Sequence, residues 1–158
     1  MAELGRGLFA GFAATLVISA LMIVRLEAGF MTWFNPIQIM NLSAHQALGT
    51  PNNAAIGWGL HFIVGTVLWG GLFITLVKVL PGTTYARKGL LFGILAWLLV
   101  MLTVFPLAGS GFFGTGFGLA IPLSTLIAHL VFGAVLGYVY GWLKPAGAHD
   151  SSRAGINV

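Results

Sequence analysis

The residues of this chain best placed to do chemistry are two histidines set in one repeated motif. His61-Phe62-Ile63-Val64-Gly65-Thr66-Val67-Leu68 and His129-Leu130-Val131-Phe132-Gly133-Ala134-Val135-Leu136 share His-x-x-x-Gly-x-Val-Leu. Both copies lie inside apolar segments, where an ionisable side chain is costly and marks a polar site. Two imidazoles on parallel helices would ligate one haem b, with small residues making room for the porphyrin. His61 and His129 are therefore candidate haem ligands. Two histidines are an incomplete set for zinc, which takes about four ligands. His45 and Met40, with Met31 near them in sequence, would enlarge a site toward copper. The plainer alternative is that each neutral imidazole bonds to a carbonyl or hydroxyl of a neighbouring helix, with Ser19, Thr15, Thr103, Ser124 and Thr125 available. Such interhelical bonds contribute roughly 0.6–2 kcal/mol in membranes.

The elements that must position these residues follow from composition. Of 158 residues, 58% are hydrophobic and 6% charged, and mean hydropathy is +0.99, far from the soluble norm of roughly 25% charged. The class is all-α and polytopic: four transmembrane helices of about 20 apolar residues each. Spans are expected at about 8–24, 54–80, 89–107 and 119–143, with Pro81-Gly82 closing the second and Lys144-Pro145 the fourth. Arg6 before an apolar run imitates a signal peptide, but no small-x-small cleavage site follows at Arg25-Leu26-Glu27. A single domain is expected over 1–146, followed by a polar tail over 147–158. The net charge of +4 is scattered along the chain, so the basic residues read as membrane anchors and not as a nucleic-acid surface. The absence of cysteine excludes disulfides, thiolate catalysis and iron–sulfur ligation.

Basic residues flanking the spans set the expected orientation. Arg6, Lys78, Arg87, Lys88, Lys144 and Arg153 fall on one side and Arg25 on the other, so both termini should be cytoplasmic. Asn35 before Pro36, with Gly49 closing the segment, predicts a short helix. Trp33 and Phe34 just ahead of it suggest that it lies on the outer membrane surface. The second outer connection, from Gly109 to Gly118, lacks the lysine and preceding strand of a phosphate loop, and reads as a flexible interfacial turn.

The chain also reads as two tandem hairpins, over about 6–82 and 88–146. The histidine motifs are 68 residues apart, and Arg6-Gly7-Leu8 matches Lys88-Gly89-Leu90 at an offset of 82. Gly7 and Gly11, Gly89 and Gly93, and Gly133, Gly137 and Gly141 are spaced four apart. That spacing lines one helix face with small residues, which let backbones approach closely. His61 and His129 share that face with their own glycines.

Other chemistry has little to work with. The acidic residues are Glu3, Glu27 and Asp150, none deep in a span, which leaves no carboxylate relay for coupled transport. A Ser-His-Asp arrangement would have only Glu27 within reach, and Arg25 with Glu27 reads as an interfacial pair or as anchors. Trp58, Trp69, Trp97 and Trp142 read as interface or packing residues, and His149 as part of the solvated tail.

In length, topology and glycine/histidine pattern the chain resembles the small uncharacterised four-helix inner-membrane proteins of bacteria, a resemblance that implies a bundle but no activity. The expected function is a non-enzymatic accessory or interaction subunit of a larger membrane complex, partnered by another membrane protein or a second copy. A haem b electron-transfer protein is the alternative, and a small permease or channel the third.

Overall fold

The computed structural model describes residues 2–107 and 111–145; the expected polar tail, with His149 and Arg153, and the loop residues Gly109 and Ser110 lie outside them. All regular structure among these residues is helical. Helix α1 covers Ala2–Glu27, 26 residues or about 39 Å at 1.5 Å per residue, more than the roughly 30 Å of a bilayer core. It is longer at both ends than the apolar run alone suggests.

Helix α2 (Pro36–Leu48) forms as its boundary residues dictate. Asn35 Oδ1 accepts from the Ile37 and Gln38 amides at 3.1 and 3.2 Å, and Gly49 closes it with φ of 68°. One face of α2 is held by protein. The Ile37 carbonyl lies where a Cβ on Gly57 would be. Buried Asn41 donates to Asn52 Oδ1 at 2.6 Å and accepts from the Asn53 amide at 3.2 Å.

The second span is assembled from α3 (Ala54–Ile63), a π-helical turn (Val64–Trp69) and α4 (Gly70–Leu76). It stops short of the expected Leu80 because Lys88 Nζ bonds the Val77 carbonyl at 2.9 Å, capping the helix end, while Val77 and Leu80 turn inward. Helix α5 (Tyr85–Leu102) starts on Thr84, whose hydroxyl accepts from the Arg87 amide at 3.2 Å. It breaks at Thr103, since Pro106 cannot supply the next amide, and a short α6 (Val104–Leu107) follows. Helix α7 (Ala120–Trp142) completes the set, and four helices are long and apolar enough to cross a membrane.

In the second connection the described residues fold back onto the bundle. Residues Phe112–Phe117 wind into 3-10 turns, with Phe113 and Gly114 left-handed at φ 59° and 63°. Phe113 packs on Trp97 at 5.5 Å between ring centroids, and a Cβ on Gly114 would strike Phe105. Aromatic packing seats these residues against α5 and α6.

Packing rests on backbone contact. Helix α5 lies along α7, α1 lies along both α7 and the second span, and α4 meets α5 only lightly. The second and fourth spans therefore occupy a diagonal. A Cβ on Gly89 would strike the Gly133 carbonyl, one on Gly93 the His129 carbonyl, and one on Gly137 the Tyr85 carbonyl. On the other side, a Cβ on Gly11 would come within 2.8 Å of the Gly65 carbonyl, and one on Gly70 within 2.6 Å of the Gly7 carbonyl. The interior beyond these contacts is aromatic: Phe73 packs edge-on against Phe92 at 5.3 Å and Tyr140 at 5.4 Å.

Because neither helix can retreat without opening the seam, Gly89→Ala is expected to destabilise the bundle by about 1–3 kcal/mol. Gly5→Ala, with open space around the new methyl, should be neutral or mildly stabilising. Thermal unfolding in detergent compares them, and equal midpoints for Gly89→Ala and the parent would remove the seam from this role.

Candidate functional site

His61 is positioned by the α1 face that reads the second span. Gly11, Thr15 and Ser19 are one turn apart on that face. Gly11 meets the π-helical turn at the Gly65 and Thr66 carbonyls, and Thr15 fills the space beside Gly65. Ser19 Oγ lies 3.1 Å from His61 Nε2. Since the Ser19 hydroxyl donates to the Thr15 carbonyl at 2.8 Å, its oxygen is the acceptor, and His61 carries its proton on Nε2. The result is a chain of bonds between α3 and α1. Trp58 packs edge-on against the same imidazole at 5.8 Å.

His129 is bonded differently. Its Nδ1 lies 2.7 Å from the Thr125 carbonyl one turn earlier in α7, so Nδ1 donates along its own helix. The Thr125 hydroxyl accepts instead from the Trp97 indole at 3.2 Å, which ties α7 to α5. No hydrogen bond or ring contact joins His61 to His129 among the described residues. Of the metal candidates, His45 Nδ1 donates to the Thr50 carbonyl at 2.6 Å. Met40 lies five residues earlier on α2, about 140° around the helix at 3.6 residues per turn.

Two polar features escaped the reading of the sequence. The first is a cleft of about 410 Å³ between the last turn of α1 and the starts of α2 and α3, with Arg25, Asn52, Asn53 and Trp58 in its lining. Arg25 reaches across the loop to the Phe30, Met31 and Phe34 carbonyls at 3.4, 2.8 and 2.7 Å, so it braces the turn and does not pair with Glu27. The cluster Asn35, Asn41, Asn52 and Asn53 around a short capped helix was the available signal.

The second is a lone carboxylate at the opposite end. Glu3 receives Arg6 Nη1 at 2.7 Å, both oxygens receive Lys144 Nζ at 2.8 Å, and the Tyr140 hydroxyl donates to Oε2 at 2.5 Å. Both ion pairs among the described residues converge on it. Lys144 Nζ also lies 5.2 Å from the Tyr140 ring centroid. Two of the three partners of Glu3, Tyr140 and Lys144, are more than 130 residues distant in sequence, which left no local signal for them.

Four apolar spans packed at glycines, with polar groups confined to interhelical bonds and to the two ends, fit a polytopic integral membrane protein. The chain belongs to a family of unknown function, DUF6789, which matches residues 1–151. No curated protein and no solved structure has significant similarity to it.

Ser19→Ala and His61→Leu should each destabilise the protein, and the double variant should lose less than the sum by about 0.6–1.7 kcal/mol. A double-mutant cycle in a denaturant titration reads this coupling. Strict additivity would mean that the Ser19–His61 bond does not hold α1 to α3.

Proposed function

We propose that this protein is a non-enzymatic membrane subunit that docks against another membrane protein through the outer face of its second span. One observation carries the reading. The paired glycines of the four spans are filled by backbone or side chains of a neighbouring helix, but Gly59 and Gly71 have nothing within 4 Å of an added Cβ. They are twelve residues apart, and with one residue taken up by the π-helical turn about three whole turns separate them. Both therefore fall on one face, next to Ile63 and Val67 at 58% and 56% exposure. Small residues on an uncovered membrane face let a further helix approach closely.

The same reading includes two tandem hairpins. Both are sealed alike: Gly11 meets the Gly65 carbonyl and Gly70 Cα, and Gly89 meets the Gly133 carbonyl and Gly137 Cα. With Gly65 and Gly133 equivalent at the motif offset of 68, Gly11 corresponds to Gly89 at 78, one helical turn from the offset of 82 that the sequence favours. The spacing from Gly65 to Gly70 is one residue longer than from Gly133 to Gly137, and the π-helical turn takes up the extra residue. We place the termini in the cytoplasm of a bacterial cell and α2 at the outer face of the inner membrane. Arg6, Lys78, Arg87, Lys88 and Lys144 gather at the terminal end of the bundle, and positive charge is retained on the cytoplasmic side.

Extraction of native membranes in mild detergent tests the docking. The parent should run as a specific larger assembly, and Gly71→Leu should release it as a monomer with an unchanged unfolding midpoint. Recovery of the parent only as a monomer, with no in-membrane crosslink from this face, would overturn the reading.

A haem b site remains the second reading, favoured by one observation. The Nδ1 bond of His129 leaves Nε2 without a hydrogen bond among the described residues, and a ligating histidine is oriented in this way by its other nitrogen. Ser19 occupies Nε2 of His61, so the docking reading is preferred. Protein expressed with ample haem should then show no Soret band, whereas a band abolished by both His61→Leu and His129→Leu would establish the haem site.

A further inference from the structure

The cleft at the end of α1 has a donor-rich polar wall that nothing above uses. Its polar wall includes Arg25, Asn35, Gln38, Asn52, Asn53 and Trp58, together with Asn41, whose side chain is engaged by Asn52 and Asn53. Of the four asparagines, Asn35, Asn52 and Asn53 are oriented by bonds to their oxygens. Asn35 Oδ1 accepts from the Ile37 and Gln38 amides, Asn52 Oδ1 accepts from Asn41, and Asn53 Oδ1 accepts from the Ile56 amide at 3.2 Å. Each therefore retains an NH2 group with no hydrogen-bond partner among the described residues, as does the Trp58 indole N–H. Arg25 bonds only to carbonyls, which orient the guanidinium without neutralising it. No carboxylate lines the cleft.

A cavity that offers one positive charge and several amide donors, and no anion, is complementary to an anionic oxygen-rich group. Its other wall limits the choice. Met22, Ile23 and Leu26 of α1 line it, and Ile23 and Leu26 are 50% and 42% exposed on the surface of the span. An apolar chain leaving the cleft would lie along that wall within the bilayer. We propose that the cleft binds the phosphate of an anionic phospholipid, with Arg25 as its counter-charge, the Asn35, Asn52 and Asn53 amides as donors and the acyl chains against α1. This site does not depend on the docking face of the second span.

The test uses the full chain, delipidated in detergent, titrated with phosphatidylglycerol, phosphatidylcholine or inorganic phosphate while thermal unfolding is followed. Phosphatidylglycerol should raise the midpoint saturably, at concentrations at least tenfold below those at which the other two act. Asn35→Asp keeps the oxygen that caps α2 but turns the remaining donor into an anion. It should weaken the phosphatidylglycerol response at least tenfold while leaving the lipid-free midpoint close to that of the parent. Arg25→Gln should do the same if it folds, and Asn53→Asp provides a second variant that keeps its cap. Equal responses to both phospholipids, or a response that Asn35→Asp and Asn53→Asp leave intact, would overturn the proposal. A response to inorganic phosphate at matching concentrations would assign the site to a soluble phosphate and overturn the lipid assignment.

Discussion

Everything in this bundle depends on how closely two helix backbones can approach. In a bilayer an apolar side chain gains little by leaving lipid for protein, so helices are held by dense packing and interhelical hydrogen bonds. Glycine opposite glycine brings the backbones of α5 and α7, and of α1 and the second span, into direct contact. The polar bonds follow from that proximity. Ser19 reaches His61 because Gly11 and Thr15, two turns and one turn earlier, have already fixed the distance between α1 and the second span. Trp97 reaches Thr125 because Gly93 and Gly89 do the same for α5 and α7.

The π-helical turn is the clearest consequence of this constraint. Nothing in Val64-Gly65-Thr66-Val67-Leu68-Trp69 encodes a widened turn locally. α1 meets the second span at Gly65, within this turn, and at Gly70, just after it. With five residues from one contact to the other, a regular helix of 3.6 residues per turn would rotate the second contact out of the seam. One wider turn restores the alignment.

What could be read from the residues alone divides along the same line. Spans, their order and the capped helix α2 were legible, because apolar length and the Asn35-Pro36 and Gly49 boundaries are local signals. The choice of Ser19 among five candidate hydroxyls was not, since it depends on the register between α1 and the second span. Nor was the conformation of the second connection, where Phe113 and Gly114 pack among Trp97, Phe105 and Ile121, residues that no local pattern pairs with them. Lys88 was visible as a basic residue at a span end, but its bond to the Val77 carbonyl, which ends the second span early, needs the turn between them. In the cleft, each amide was visible and its orientation was not.

The carboxylate at residue 3 joins α1 to the far end of α7, across four spans of sequence. Arg6 can engage it as soon as the first turn forms, but Tyr140 and Lys144 are synthesised more than 130 residues later. During synthesis α1 therefore carries an acceptor that stays incompletely matched until α7 has followed it. Closure of the ring is thus coupled to the synthesis of α7, and a product truncated before α7 would present an open Glu3 and the bare small-residue face of α5. Those are features by which quality-control machinery could tell an unfinished bundle from a finished one.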